Sequence, residues 1–270
     1  MRVQFVCRAL LGSSAVLAIS GAGGELATHS SSAPSRSDTL ETLSYDSVRS
    51  GLSRKLRGPL FSYLSSRPFS AKVNGRIGRY AIGFWPAERG RITSLAYQNP
   101  SAFIEVTPEN QNTQISEHFR LRDFLTHDQT DVWPKYVVLK DELVDKLELV
   151  IQELEKQGTV VRHMTVMSGF RTPQYNGPGG DGRSGLSRHM FGDAADVFVD
   201  NDGDGRMDDL NHDGRVDYRD ARVILDAVDR VERAHSVLMG GVGVYSATES
   251  HGPFAHVDVR GWHARWGLTG

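Results

Sequence analysis

The spacing of apolar residues changes several times along the second half of the chain, and these changes restrict the available folds. Apolar residues recur at helical intervals in two stretches, and β-branched or alternating residues fill three shorter ones. The helical stretches are 139–154 and 221–231, and the strand-like stretches are 160–167, 194–199 and 254–259. The glycine-rich segment 240–243 is interpreted as a turn. The pattern predicts an α+β fold, with helices packed on one side of a mixed or antiparallel sheet.

The residues before these elements divide into segments of different composition. Residues 1–22 combine an early basic region with the apolar run 9–22 and small residues suited to cleavage, which is typical of a secretory signal peptide. Residues 23–45 are rich in small and polar residues and are interpreted as a flexible linker. Residues 46–110 form a β-rich N-terminal region of unknown role, which leaves 111–270 for the main domain. We therefore expect an exported protein, periplasmic or extracellular, with no membrane span in its mature form.

Charge and cysteine content exclude several classes of function. The 270 residues carry a formal net charge of -2, so no polyelectrolyte attraction to nucleic acid is expected. The only cysteine, Cys7, precedes the apolar run, so cleavage leaves no disulfide and no thiol chemistry. Any transition-metal site in the mature protein must then use histidine and carboxylate ligands. We expect the mature protein to be a monomer.

One histidine and one aspartate are close in sequence and carry the strongest chemical signal. His189 and Asp196 offer two of the protein ligands that a catalytic zinc requires. His256 is the best third candidate, because alternation along the last predicted strand puts it on one face with Asp258. A single histidine is usually a surface or core residue, so the hypothesis depends on the joint pattern. Zinc with an open position lowers the pKa of a bound water to about 7, which suits peptide hydrolysis.

Three further motifs accompany the segment that runs from Ser187-Arg-His to Asp196. They are Ser168-Gly-Phe-Arg-Thr-Pro-Gln-Tyr-Asn, Gly240-Gly-Val-Gly-Val-Tyr and Phe254-Ala-His-Val-Asp. Together these motifs resemble the zinc D-alanyl-D-alanine carboxypeptidase family, which includes murein peptidases, vancomycin-resistance dipeptidases and phage endolysin peptidases. The closest similarity is to a secreted bacterial branch whose last strand reads His-Val-Asp, and it covers residues 116–266.

The resemblance implies roles for individual residues. It implies that His189, Asp196 and His256 bind Zn²⁺ and that Arg171 binds the substrate. A guanidinium fork suits that role, because it holds a terminal carboxylate with two charge-assisted hydrogen bonds. The implied activity is hydrolysis of peptide bonds in peptidoglycan.

One position departs from the pattern of this family, in which a Glu or Asp three residues before the third ligand often acts as general base. Here that position is Pro253, which cannot take up a proton. Asp258, Glu249 and His251 are the alternatives, because a base must reach the zinc-bound water directly or through one further water. Asp258 could equally be a carboxylate that orients a ligand histidine.

The segment 200–220, between the second and third proposed zinc ligands, is strongly acidic. Calcium takes about six to eight oxygen ligands from alternating loop positions, with a glycine at the sharp turn. Two overlapping registers of an EF-hand or dockerin-like loop fit this pattern, and we expect a structural Ca²⁺ there. The alternative is a solvated acidic loop. The proposed calcium ligands are Asp200, Asp202, Asp204, Asp208, Asp209, Asn211, Asp213, the backbone carbonyl of Arg215, Asp217 and Asp220.

Three interpretations of function follow from these features. The leading one is an exported zinc metallopeptidase that hydrolyses peptidoglycan stem peptides or crosslinks. The second is a non-catalytic zinc- and calcium-binding module that recognises wall peptides or a protein partner. The third is a calcium-dependent adhesion domain in which the histidines are incidental. Metal content and digestion products distinguish the three.

Overall fold

The computed structural model describes residues 63–90, 92, 94–179 and 183–267. The predicted signal peptide 1–22 and linker 23–45 lie outside the described residues, as does the beginning of the predicted 46–110 region. Within the described ranges, no helix has both the length and the apolar character needed to cross a membrane.

The described chain contains short strands and two long helices. The strands are β1 (Ser66–Pro68), β2 (Arg76–Ile77), β3 (Tyr80–Ala81), β4 (Ala102–Val106), β5 (Lys135–Val137), β6 (Met164–Ser168), β7 (Ala194–Val199), β8 (Gly241–Tyr245), β9 (Phe254–Asp258) and β10 (Ala264–Trp266). The helices are α1 (Asp141–Lys156), the short α2 (Pro173–Asn176) and α3 (Tyr218–Ala234).

A five-stranded mixed sheet holds the second half of the chain together. Its strand order is β10-β8-β9-β7-β6, with the β10–β8 pair parallel and the other pairs antiparallel. Helix α3 packs on β8 and β9, and α1 packs alongside α3. The predicted α+β class, with helices on one side of a mixed sheet, is therefore confirmed.

The helices cover this face of the sheet because both sides of the contact are apolar. Along α3 the buried residues Ile224, Leu225, Val228 and Val231 recur at helical spacing and form one stripe. The alternating residues of β7, β8 and β9 that point away from the predicted zinc ligands are small or β-branched and buried. These residues are Ala195, Val197, Val242, Val244, Ala255 and Val257.

The other face of the sheet carries one residue from each strand in a single cross-strand row. Ser168 of β6 lies beside Asp196 of β7, which lies beside His256 of β9. His256 in turn lies beside Gly243 of β8, and Gly243 lies beside Trp266 of β10. Because neighbours in register point to the same face of a sheet, two of the predicted zinc ligands lie side by side.

The segment predicted as a glycine-rich turn is instead the beginning of β8. A Cβ atom on Gly243 would overlap the indole of Trp266, and one on Gly241 would overlap the carboxylate of Asp258. Gly241 and Gly243 lie on the same face of β8. The side chains of Asp258 and Trp266 from neighbouring strands lie across that face and leave no room for a Cβ atom. The prediction of a turn was wrong since glycine can also mark a close approach of side chains to a strand.

The described part of the 46–110 region consists of short strands and 3₁₀ turns. Strands β1, β4 and β5 form an antiparallel sheet, and β2 pairs with β3. Because β5 lies beyond residue 110, this sheet crosses the predicted boundary. The buried Trp85 donates its indole N–H to the carbonyl of Met190 at 2.8 Å. The region therefore shares a hydrophobic core with the rest of the described chain.

Candidate metal centre

Three buried side chains converge at the centre of the cross-strand row. His189 Nε2 lies 3.1 Å from His256 Nδ1 and 3.2 Å from Asp196 Oδ1, and His256 Nδ1 lies 2.8 Å from the same carboxylate oxygen. Ligand atoms of a tetrahedral zinc, with bonds of about 2.0–2.2 Å, lie roughly 3.3 Å apart. The structure thus brings the three predicted zinc ligands together as a group that can hold a metal ion.

A tight turn delivers His189 to this position. The residue lies on the 3₁₀ helix Arg188–Phe191, which ends at Gly192 with a φ of 67°. A Cβ atom on Gly192 would also overlap the carbonyl group of Val138. A glycine between the first two ligands is therefore required by the backbone conformation and by the available space.

Hydrogen bonds on the far side of each imidazole determine which nitrogen faces the centre. Nδ1 of His189 donates to the carbonyl oxygen of Gly169 at 2.7 Å. Nε2 of His256 donates to Oδ2 of Asp258 at 3.2 Å. With these protons placed, the neutral imidazoles direct their remaining lone pairs toward each other and toward the Asp196 carboxylate. Such electron-rich atoms repel one another unless a proton or a metal ion lies between them.

Burial and mutual charge shift the pKa values of the three groups in the metal-free protein. Burial lowers the pKa of His189. Burial acts to raise the pKa of Asp196, but the adjacent histidines outweigh it and hold this pKa far below its usual range. Burial also acts to lower the pKa of His256, but hydrogen bonds to Asp196 and Asp258 raise it to about 9. A metal ion would thus replace a proton of His256.

Arg171 lies beside the Asp196 end of the group. Its Nη2 donates to Oδ2 of Asp196, the oxygen that faces neither histidine, and its Nε donates to Oγ of Ser168 at 2.8 Å. The side chain is partly exposed. Arg171 therefore orients the Asp196 carboxylate and remains partly accessible from solvent.

Asp258 lies behind His256, and its contacts bear on the two roles that the sequence left open. It is fully buried, and Oδ1 accepts the backbone N–H groups of Gly241 at 2.7 Å and Arg260 at 3.0 Å. Oδ2 accepts Nε and Nη2 of Arg260 in addition to His256. Burial acts to raise the pKa of Asp258, but the bonds from His256 and Arg260 hold it well below its usual range. These contacts favour the orienting role.

Arg260 is a residue of the site that the sequence reasoning missed. Its guanidinium binds the Asp258 carboxylate, and this contact makes it part of the support of His256. The available signal was its position two residues after Asp258, which continues the alternation that links His256 to Asp258.

The other candidates for a general base lie in the turn between β8 and β9. Nδ1 of His251 donates to the carbonyl of Gly252 at 2.8 Å, which leaves Nε2 directed elsewhere. The ring meets Phe254 edge-on with centroids 5.0 Å apart. Glu249 is exposed, and Pro253 is buried. Among the described contacts, neither His251 nor Glu249 forms a hydrogen bond with the three metal-ligand candidates.

The acidic segment 200–220 begins where β7 ends and forms two successive loops. In the first loop the carboxylate of Asp200 accepts the backbone N–H of Gly205 at 3.1 Å. Gly205 has a φ of 80°, a left-handed conformation that favours glycine. Carboxylate oxygens of Asp200, Asp202 and Asp208 lie within 4.8 Å of one another and form a second group that can hold a metal ion.

The second loop repeats the hydrogen bonds of the first. The carboxylate of Asp209 accepts the backbone N–H of Gly214 at 2.8 Å, and Gly214 has a φ of 81°. The last residue of the pattern differs, because Asp220 is buried at the start of α3 and caps the backbone there. Its two oxygens accept the N–H groups of Leu210, Asn211 and Asp217. The sequence assigns this residue to calcium, and its described contacts join the N-cap of α3 to the backbone of the loop.

The remaining predicted calcium ligands take part in local contacts. Oδ1 of Asp204 accepts the backbone N–H of the residue two positions later, and Oδ1 of Asn211 does the same. Asp213 accepts the backbone N–H of Arg215 at 2.9 Å. Asp213 and Asp217 also lie 3.1 and 3.5 Å from the guanidinium of Arg219, which a calcium ion in this loop would have to displace.

A third group of possible ligands, Asp229, Glu232 and His263, is explained by ion pairs. Arg265 donates to Asp229 and Glu232 at 2.6 Å, and the buried Lys146 donates to Glu232 at 2.7 Å. These two cations neutralise the carboxylates. The group therefore links α1, α3 and β10 without a metal.

The chain was compared with protein-family models, with curated proteins and with solved structures, and it matches none of them. Its function must therefore be inferred from the fold and from the geometry of its site.

Proposed function

We propose that the protein is an exported zinc metallopeptidase that hydrolyses peptide bonds in the stem peptides of bacterial peptidoglycan. The observation that carries this proposal is the convergence of His189 Nε2, Asp196 Oδ1 and His256 Nδ1 within 3.2 Å of one another. Two imidazoles and one carboxylate form a ligand set that suits catalytic zinc, which keeps a further position open for water.

The residues beside these ligands suit hydrolysis of an amide. Zinc, when bound, lowers the pKa of a water to about 7 and polarises a carbonyl group. Arg171 reaches the site beside Asp196, where its guanidinium can hold a substrate carboxylate or a developing oxyanion. The C-terminal carboxylate of a D-alanyl-D-alanine peptide is a ligand of this kind, in line with the motif resemblance around Arg171.

We assign the role of general base to His251 rather than to Asp258. Asp258 is fully buried and its oxygens already accept bonds from His256, Arg260 and Gly241. His251 lies on the turn that precedes β9, and its Nε2 is directed away from the contact that holds Nδ1. If zinc were held by His189, Asp196 and His256, a base in this place would take up a proton from the attacking water, directly or through a further water.

We further propose that the acidic segment binds Ca²⁺ in a structural role. Asp200, Asp202 and Asp208 supply oxygens within reach of one cation, and Gly205 provides the sharp turn that calcium loops require. This loop continues directly from β7, which carries Asp196. A calcium ion there would stabilise the end of a strand that supplies a zinc ligand.

Metal content and digestion products test the peptidase proposal. The purified chain should contain stoichiometric zinc and should release D-alanine or a dipeptide from defined muropeptides. His189→Ala should lose the zinc and reduce product release by about 10³-fold or more, because the water loses its activation. The control is His127→Ala, which changes an exposed histidine and should alter neither quantity.

One observation favours a second candidate, a non-catalytic zinc- and calcium-binding module that recognises wall peptides or a protein partner. Pro253 occupies the position at which similar peptidases carry their general base. Zinc-loaded protein that binds muropeptides and leaves them intact would support this module. A chain without stoichiometric zinc would contradict both candidates and leave the calcium-dependent adhesion domain.

A further inference from the structure

Three aromatic side chains adjoin one another at the β8–β10 edge of the sheet, a fourth lies across Arg260 from them, and the proposed hydrolysis uses none of the four. We call Tyr245, Phe254, Trp262 and Trp266 the aromatic shelf. Tyr245 and Phe254 stack with ring centroids 4.5 Å apart and planes 6° from parallel. Nε1 of Trp266 donates to the phenol oxygen of Tyr245 at 2.8 Å. The guanidinium of Arg260 lies over the rings of Trp266 and Trp262, 5.2 and 5.8 Å from their centroids.

The aromatic shelf is continuous with the candidate metal centre. The ring centroid of Trp266 lies 5.3 Å from that of His256. Gly243, between these two residues in the cross-strand row, has no side chain and leaves the indole room to lie across the strand. At the other end of the shelf, Phe254 meets the ring of His251. A group bound on the shelf therefore lies next to any substrate held at the metal.

Two rings of the shelf are exposed, and Tyr245 and Trp266 are held in place by specific contacts. Tyr245 is 37% exposed and Trp262 is 41% exposed, whereas Phe254 is buried beneath Tyr245. The Trp266–Tyr245 hydrogen bond and the contact of Trp266 with Gly243 fix the orientation of the Tyr245 and Trp266 rings. A ligand that binds these two restrained rings would therefore lose little affinity to the ordering of their side chains.

The chemistry of the shelf points to a flat and uncharged ligand. Arg260, the charged group between the indoles, is neutralised by Asp258. The faces of the rings are electron-rich and attract the weakly positive hydrogens of a C–H-rich face. The phenol oxygen of Tyr245 accepts from Trp266, so the Tyr245 O–H can donate to a ligand oxygen. A pyranose ring offers both a flat C–H face and such oxygens, whereas an aliphatic side chain has no oxygen to accept the Tyr245 O–H.

We infer that the aromatic shelf binds a sugar ring of the peptidoglycan strand, so that the preferred substrate is a stem peptide still attached to its glycan. This inference rests on the proposed function, which it deepens by naming the substrate class. It assigns to Tyr245, Trp262 and Trp266 the contact with the sugar.

A peptide-free glycan tests the shelf independently of hydrolysis. The probe is an N-acetylglucosamine tetramer, titrated into the zinc-loaded full chain and followed by tryptophan fluorescence and saturation-transfer NMR. The tetramer should bind the wild type, and Tyr245→Ala and Trp262→Ala should each weaken binding by at least about fivefold. Tyr63→Ala removes a similarly exposed tyrosine from the N-terminal region and should leave binding unchanged. Trp262→Ala serves if Tyr245→Ala does not fold, because Trp262 lies at the surface.

The outcomes separate this inference from the peptidase proposal. If the tetramer does not bind, or binds the shelf variants as well as the wild type, the sugar site is refuted even when muropeptides are cleaved. A shelf that instead binds a free stem peptide, with the same loss in the variants, would be a peptide platform and would also overturn the inference. Tetramer binding without any muropeptide cleavage would uphold the shelf and refute the peptidase.

Discussion

At the scale of single residues, the orientation of His256 depends on contacts that end at Arg260. His256 donates to Asp258, and Asp258 is held by the guanidinium and the backbone N–H of Arg260. Partners of this kind fix the rotation of a ligand imidazole and raise its basicity. We therefore expect Arg260 to influence binding of a metal ion at the candidate centre, although it contacts none of the three candidate ligand atoms there.

This dependence gives a prediction for Arg260→Gln. Zinc affinity should fall by about 10–100-fold, because Asp258 loses the cation that fixes its carboxylate beside His256. Competition with a chromogenic chelator measures the change. Arg233→Gln alters an exposed arginine of α3 and should leave the affinity unchanged. Equal affinities for both variants would mean that the backbone N–H groups of Gly241 and residue 260 position Asp258 without the guanidinium.

A second residue-level prediction concerns the glycine beneath Trp266. Gly243→Ala should lower the free energy of unfolding by about 1–3 kcal/mol, because the added methyl group overlaps the indole and forces it to move. Urea denaturation monitored by tryptophan fluorescence measures this loss. Gly252→Ala is the matched control, since a Cβ atom there meets open space. Destabilisation of the same size in both variants would argue against the tight packing of Trp266 on β8.

At the scale of secondary-structure elements, periodicity was sufficient to predict the two long helices and two of the strands. The apolar spacing of 139–154 and 221–231 corresponds to α1 and α3, and alternation identified β7 and β9. The predicted strand from residue 160 begins only at Met164. Val160 is exposed, and its backbone carbonyl accepts a hydrogen bond from the side-chain amide of Asn201. A contact with a segment so distant in sequence overrides local β propensity.

The acidic segment allows a prediction about element stability. Removal of calcium with a chelator should lower Tm by about 5–10 °C when the ion is normally present at 100 times its Kd. Differential scanning fluorimetry with and without calcium measures this shift. Asp200→Asn should abolish most of the response, whereas Asp226→Asn, on the exposed side of α3, should preserve it. If the chelator did not change the Tm of the wild type, the structural role proposed for calcium would be contradicted.

At the scale of the whole molecule, the N-terminal region and the sheet that carries the site depend on the same core. Strand β4, before residue 110, pairs with β5, which lies after it. The indole N–H of Trp85 donates a hydrogen bond to the carbonyl of Met190, the residue after His189. A protein shortened to residues 111–270 should therefore fail to fold. Circular dichroism and the dispersion of amide NMR signals measure this outcome. A cooperative unfolding transition in the shortened protein would show that 46–110 is dispensable for folding.

The candidate ligands could be predicted from sequence more completely than their supports. His189, Asp196 and His256 are residue types with metal chemistry, and strand alternation linked His256 to Asp258. The contacts of Trp266 and Gly243 with His256 could not be predicted in this way, because they depend on which strands are neighbours in the sheet. The parallel pairing of β10 with β8 brings Trp266 into the row. Strand order of this kind is a property of the complete sheet and cannot be deduced from one segment.

The position of the two ligands on adjacent strands also determines how the chain can vary in length. Asp196 on β7 and His256 on β9 lie 60 positions apart in the sequence, and the chain between them forms the acidic segment, α3 and β8. A metal ion bound by both side chains would close this stretch of chain into a loop. The entropy of closing such a loop changes only with the logarithm of its length. Residues added between α3 and β8 would therefore cost this closed loop little, whereas residues added to the acidic segment would also disturb the proposed calcium loop that follows β7.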